Sequence, residues 1–96
     1  MNERELYIKK YESKIEEWKA EAQALRAKAE GASADAQLRA LRELEDVERQ
    51  IGDAEKRLGE LREAGDDAWA SIKAGAEEAW SSLSEGFSKA AKRFEG

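Results

Sequence analysis

Ile8-Lys9-Lys10-Tyr11-Glu12-Ser13-Lys14-Ile15-Glu16-Glu17-Trp18-Lys19-Ala20-Glu21-Ala22-Gln23-Ala24-Leu25 is the stretch that decides the fold. Its apolar members, Ile8, Tyr11, Ile15, Trp18, Ala22 and Leu25, recur at alternating steps of three and four and run on to Ala29. On an α-helix such residues share one narrow face, the a/d seam of a heptad pattern. The residues between them are mostly Lys, Glu, Gln and Ser, which suit a solvated face. A strand would need a period of two, which the stretch lacks.

Outward from this stretch the seam resumes as Leu44, Val47, Ile51, Ala54, Leu58 and Leu61. Between the two runs lie Ala29, Ala32, Ala36, Ala40 and Leu44, at a three followed by successive fours. Repeated fours locally unwind a left-handed supercoil. Alanine in that stretch would let a facing helix approach closely.

The composition agrees. Ala, Glu, Lys, Leu and Arg make up 60 of the 96 residues, above the roughly half that marks long helices and coiled coils. One Val and no Thr leave little to build a sheet. The expected fold is therefore all-α: a long coiled-coil helix with a second amphipathic helix. The two form an antiparallel hairpin, a self-associating coiled coil, or both.

Glycines locate the breaks. Gly65-Asp66-Asp67 combines a helix-ending glycine with acids suited to a helix N-terminus. Gly31-Ala32-Ser33-Ala34 is a weaker break, because alanines favour continuing the helix. The spacing predicts a helix over 3–64 in a segment 1–64, with room for a kink at 31–34. A second helix is expected over 67–94 within 65–96, in the same structural unit.

The tail has its own pattern. Trp69/Trp80, Ile72/Leu83 and Gly75/Gly86 each recur at eleven residues. One stripe holds Trp69, Ala76, Trp80, Phe87, Ala91 and Phe94, and a small stripe beside it holds Ala68, Gly75, Ala79, Gly86 and Ala90. Ile72 and Leu83 lie between the stripes. Bulky residues at helical spacing usually face a core or a partner helix. The alternative is a face of Trp69, Ile72, Trp80, Leu83, Phe87 and Phe94 that inserts into a membrane surface.

Charge and residue types narrow the function. The net charge of −5 makes nucleic acid a poor partner. No apolar run approaches the roughly 20 residues of a membrane span. The N-terminus reads as free of a signal peptide, so a cytoplasmic location is expected. Without His or Cys there is no imidazole or thiolate chemistry. The adjacent acids Glu16-Glu17, Asp66-Asp67 and Glu77-Glu78 point about 100° apart on a helix and do not converge on one proton or ion. Ser71, Ser81, Ser82, Ser84 and Ser88 have no base beside them in any recognisable motif. No catalytic, cofactor or metal residues are expected.

Tyr7-Ile8-Lys9-Lys10 with Trp18, the charged middle from Leu38 to Leu61, and the tail from Gly65-Asp66-Asp67-Ala68-Trp69 through Ala76-Glu77-Glu78-Ala79-Trp80 to Phe94 carry a resemblance. Together they resemble a family of short bacterial coiled-coil proteins labelled stress-response proteins. The resemblance implies a helical coiled coil linked to stress, with no catalytic residues. This chain departs from the family at Gly31-Ala32-Ser33-Ala34, where such proteins more often continue with charged helix formers.

The expected function is a non-enzymatic coiled-coil interaction or structural protein, stress-protective in the family's sense. The expected self-association seam is Ile8, Tyr11, Ile15, Trp18, Leu25, Leu44, Ile51, Leu58 and Leu61, and the expected partner is another copy of the chain. The alternative is a peripheral membrane-surface protein anchored by 67–94.

Overall fold

The computed structural model describes residues 2–95, with side chains through Lys92. Among these residues there are three helices and no strand: α1 (Glu3–Glu30), α2 (Ala34–Glu63) and α3 (Trp69–Glu95).

The helix starts follow local chemistry. Asn2 caps α1, its side-chain oxygen accepting from the Glu5 N–H at 2.8 Å. Glu3 and Glu5 lie in that first turn, where negative charge suits the helix dipole. Ser33 caps α2, with its hydroxyl accepting from the Ala36 N–H at 3.4 Å. Asp35 follows in the first turn of α2.

The expected helix over 3–64 is therefore divided, and the kink is a full reversal. Gly31 ends α1 and donates to the Lys28 carbonyl, while Ala32 donates to the Ala29 carbonyl. The reason is burial. A straight helix of that length would leave both seams open to water, whereas doubling back at 31–33 sets one seam against the other. The Cα trace extends only 51 × 21 × 17 Å, against about 90 Å for sixty-odd helical residues in one rod. The second break falls at 64–68: α2 ends at Glu63, Ala64 leaves the helix with φ −64° and ψ 129°, and Gly65 does not take the left-handed conformation usual for a glycine that ends a helix. The Gly65 carbonyl accepts from the Ala68 and Trp69 N–H groups, so 66–68 form a turn. The tail helix then begins at Trp69 rather than at 67.

Cross-helix ion pairs give the directions. Glu12 pairs with Arg62, Lys19 with Glu55 and Arg26 with Glu48. Each step of seven along α1 is matched by a step of seven backward along α2, so the two run antiparallel. Arg57 beside Gly75 and Gln50 beside Gly86 show that α3 runs against α2. Arg4 reaches Asp66, Tyr7 meets Trp69 and Tyr11 reaches Ala76, so α1 and α3 run the same way.

The core is one cluster. Tyr11, Ile15, Trp18 and Ala22 of α1 join Leu44, Val47, Ile51, Ala54, Leu58 and Leu61 of α2, and Ala76, Leu83 and Phe87 of α3. Tyr7, Ile8, Leu25, Leu41, Trp69, Ile72 and Trp80 pack around it, partly buried. Among the described residues no Lys, Arg, Asp or Glu is buried as a whole, and the ionisable group in the core is the Tyr11 phenol.

The two stripes of α3 serve two neighbours. Its aromatic stripe meets α1: Trp69 edges onto Tyr7, with ring centroids 5.9 Å apart, and Trp80 packs on Tyr11 and Trp18 at 5.5 and 5.2 Å. Its small stripe meets α2, where a Cβ added at Gly86 would lie 2.8 Å from Gln50 Oε1 and 3.5 Å from Val47 Cγ2. Small residues bring α2 close, and rings hold α1 further off.

Candidate interaction surfaces

The self-association seam of the sequence is occupied within one chain. Tyr11, Ile15, Trp18, Leu44, Ile51, Leu58 and Leu61 are buried in the bundle core, and Ile8 and Leu25 are partly buried at its margin. The candidate membrane face is divided. Leu83 and Phe87 are buried, while Trp69, Ile72 and Trp80 stay half-buried against the core. The Phe94 side chain lies outside the described residues.

The geometry gathers Tyr7, Tyr11, Trp18, Trp69 and Trp80 into an aromatic clasp joining α1 to α3. The Tyr11 hydroxyl donates to the Ala76 carbonyl at 3.0 Å, deep in the clasp. Burial pushes the Tyr11 phenol up to about 12, the Tyr7 phenol and the Asp53 carboxylate push the same way, and Arg57 opposes them. The Tyr7 phenol is also raised, by burial first and by Glu77 second.

Four cations surround the clasp. Arg4 lies 4.4 Å from the Trp69 ring centroid, Lys73 4.9 Å from Tyr7, Lys14 5.6 Å from Trp18 and Lys10 5.7 Å from Trp80. Each sits within the range where a ring face attracts a cation, at about 0.5–1 kcal/mol per exposed contact. Arg4 does most. It donates to the Ala64 carbonyl at the end of α2 (3.1 Å) and to Asp66 (3.2 Å) while stacking on Trp69. One guanidinium thus ties the start of α1 to the α2–α3 turn. Reading the sequence missed Arg4, because its three partners are about sixty residues away and no local spacing announces them.

A polar notch lies between α2 and α3, about 230 Å³, lined by Gln50, Asp53, Arg57, Gly75, Glu78, Ala79 and Ser82. Gln50 Oε1 and Arg57 Nε are buried there without a hydrogen-bond partner, and Arg57 Nη1 donates to Glu60 at 3.4 Å. Gly75 and Gly86 make the room in which these two long side chains lie. A wider groove of about 550 Å³ follows α1 and α2, with the buried Ala22 and Ile51 and the exposed Lys19, Arg26 and Glu48 among its lining.

Among the described residues no group of three or more His, Cys, Asp or Glu side chains could hold a metal ion. None of the described helices is long and apolar enough to cross a membrane. Between α1 and α2 the apolar layers are accompanied along one flank by opposite charges at heptad intervals, paired within the chain. Comparison with protein-family models, with curated proteins and with solved structures finds no match to this chain.

Proposed function

We propose that this chain is a non-enzymatic coiled-coil interaction protein whose first partner is another copy of itself, with stress protection as its setting. The observation that carries the reading is the pairing code between α1 and α2. Glu12–Arg62, Lys19–Glu55 and Arg26–Glu48 recur at heptad intervals along one flank of the apolar seam, the other flank of α2 facing α3. Flanking charges of this kind set partner choice and orientation in coiled coils. Each exposed pair contributes little to stability, about 0–1 kcal/mol, so their regular placement bears more on pairing than on holding the fold. The stress setting rests on the sequence resemblance alone.

Sedimentation equilibrium with circular dichroism tests the reading. A mass that rises with concentration above the 10.7 kDa of one chain supports it. A fully helical, strictly monomeric species at about 1 mM removes self-association from it.

The alternative, a membrane-surface protein held by 67–94, draws support from the partial exposure of Trp69, Ile72 and Trp80. Against it stand Leu83 and Phe87, which α3 would have to withdraw from the core to present to lipid. Flotation with lipid vesicles separates the two readings.

A further inference from the structure

We propose that two copies of the chain exchange α1: the turn at 31–33 straightens, α1 and α2 become one helix, and each copy's α1 completes the bundle of the other. This deepens the self-association reading by naming its geometry, and it rests on that reading.

The first observation is the register. The α1–α2 ion pairs place Tyr11 level with Leu61, Ile15 with Leu58, Trp18 with Ala54, Ala22 with Ile51, Leu25 with Val47 and Ala29 with Leu44. Continued inward, the next layer sets Ala32 against Ala40, and the two arms of the seam converge on Ala36. The seam is thus close to a mirror of itself about Ala36. Two straightened chains crossing antiparallel at that residue would rebuild every α1–α2 layer and every heptad ion pair in trans, in unchanged register. Their centre would be Ala36 against its copy, flanked by Ala32 against Ala40. Those residues are small enough for two helices to approach there without a clash.

The second observation is the turn itself. Gly31 has φ −87° and ψ −1°, already in the right-handed helical region. No described residue takes a positive φ. Ser33 has φ −61° and ψ 160°, so its φ is helical and only its ψ is not. A Cβ at Gly31 would meet nothing closer than the Lys28 carbonyl at 3.7 Å. Gly31 thus needs little change to join a helix and Ser33 needs a change in ψ, in a segment whose alanines favour helix. Short hinges of this kind invite exchange of an element between copies.

The exchange also keeps the α3 contacts seen within one chain. α3 follows α2 in the same chain, and its small stripe stays against α2. Its aromatic stripe, with the Tyr11-to-Ala76 hydrogen bond, would meet the α1 supplied by the other copy. The exchanged dimer is then two bundles end to end, spanned by helices of about 90 Å.

Two variants of the full chain test this by sedimentation equilibrium and small-angle scattering. Ala34→Pro is compatible with the folded-back chain. Residue 34 is the first residue of α2, where proline is favoured, and Ser33 already has the extended ψ that a following proline requires. In a straightened helix the same proline is interior and clashes with the turn before it. The expected result is normal helicity and melting with dimerisation weakened at least about a hundredfold. Gly31→Ala with Ser33→Ala removes the cap and favours a continuous helix. The expected result is dimerisation tightened at least about tenfold, with a longest dimension near 90 Å.

Dimerisation unaffected by Ala34→Pro, in a particle no longer than the monomer, overturns the exchange and leaves self-association standing. Wild type and the double variant both monomeric at about 1 mM overturn both. Should the proline variant fail to fold, the double variant decides alone: a dimer no tighter than wild type overturns the exchange.

Discussion

Tyr11 shows how one residue joins the levels of this molecule. It belongs to the α1 seam, is fully buried, and spends its only polar atom on the Ala76 carbonyl of another helix. Tyr11→Phe keeps the ring and removes the hydrogen bond, and an expected loss of about 1 kcal/mol at neutral pH follows. The larger consequence is alkaline. The folded phenol titrates at about 12 against 10.0 unfolded. Between those values the unfolded chain holds fewer protons than the folded one, so stability falls as pH rises. The Tyr11 contribution is fully present below 10 and is lost on passing through 12. Urea melts from about pH 8 to about pH 11.5 should show wild type losing more stability than Tyr11→Phe. A difference that stays constant over that interval contradicts the assignment. The seam position of Tyr11 was legible from its spacing. The identity of its acceptor was not, because Ala76 is brought near only by the packing of α3.

At the level of elements, glycine separates propensity from packing. Gly52 and Gly59 lie within α2, and a Cβ at either would meet nothing within 4 Å. Gly52→Ala and Gly59→Ala should each stabilise the chain by about 0.5–1 kcal/mol, since only helix propensity changes. Gly86 is different. A Cβ there would press on Gln50 Oε1, an atom at the end of a flexible side chain that makes no hydrogen bond. Gly86→Ala should gain less than the α2 variants, and Gly86→Val should destabilise by forcing α2 and α3 apart. Thermal melts of the four single variants check the order. Gly86→Val as stable as Gly52→Ala would mean that α2 and α3 do not approach as described. The isolated character of Gly52 and Gly59 within strong periodicity was readable from sequence. The pairing of Gly86 with Gln50 was not, because it depends on which neighbour each stripe of α3 faces.

For the whole molecule, the question is what the tail helix holds together. Trp80 packs on both Tyr11 and Trp18, and Phe87 is buried in the same core. Replacing both by Ser should lower stability by several kcal/mol with no lipid present, in line with about 3–5 kcal/mol for a large aromatic truncated in a core. The intact protein should show blue-shifted tryptophan emission in buffer, unchanged when vesicles are added. Emission that is red-shifted in buffer and moves to the blue with vesicles would favour the lipid anchor instead.

Sequence by itself determined that the chain is helical and where its apolar seams lie. These follow from periodicity, composition and local backbone preference, all of which act within a few residues. It also offered two faces on the tail, one bulky and one small. Only the tertiary structure decided that Gly31 to Ser33 is a reversal and which face of α3 meets which helix. Only it showed that Arg4 binds the distant turn while stacking on Trp69. Local propensity at 31–34 does not fix the reversal, since its alanines favour helix while Ser33 caps α2. What settles it within a single chain is the burial of two long seams, which favours folding back once α2 and α3 are both there to cover α1. That balance lies between residues far apart in the chain, so no window of sequence contains it.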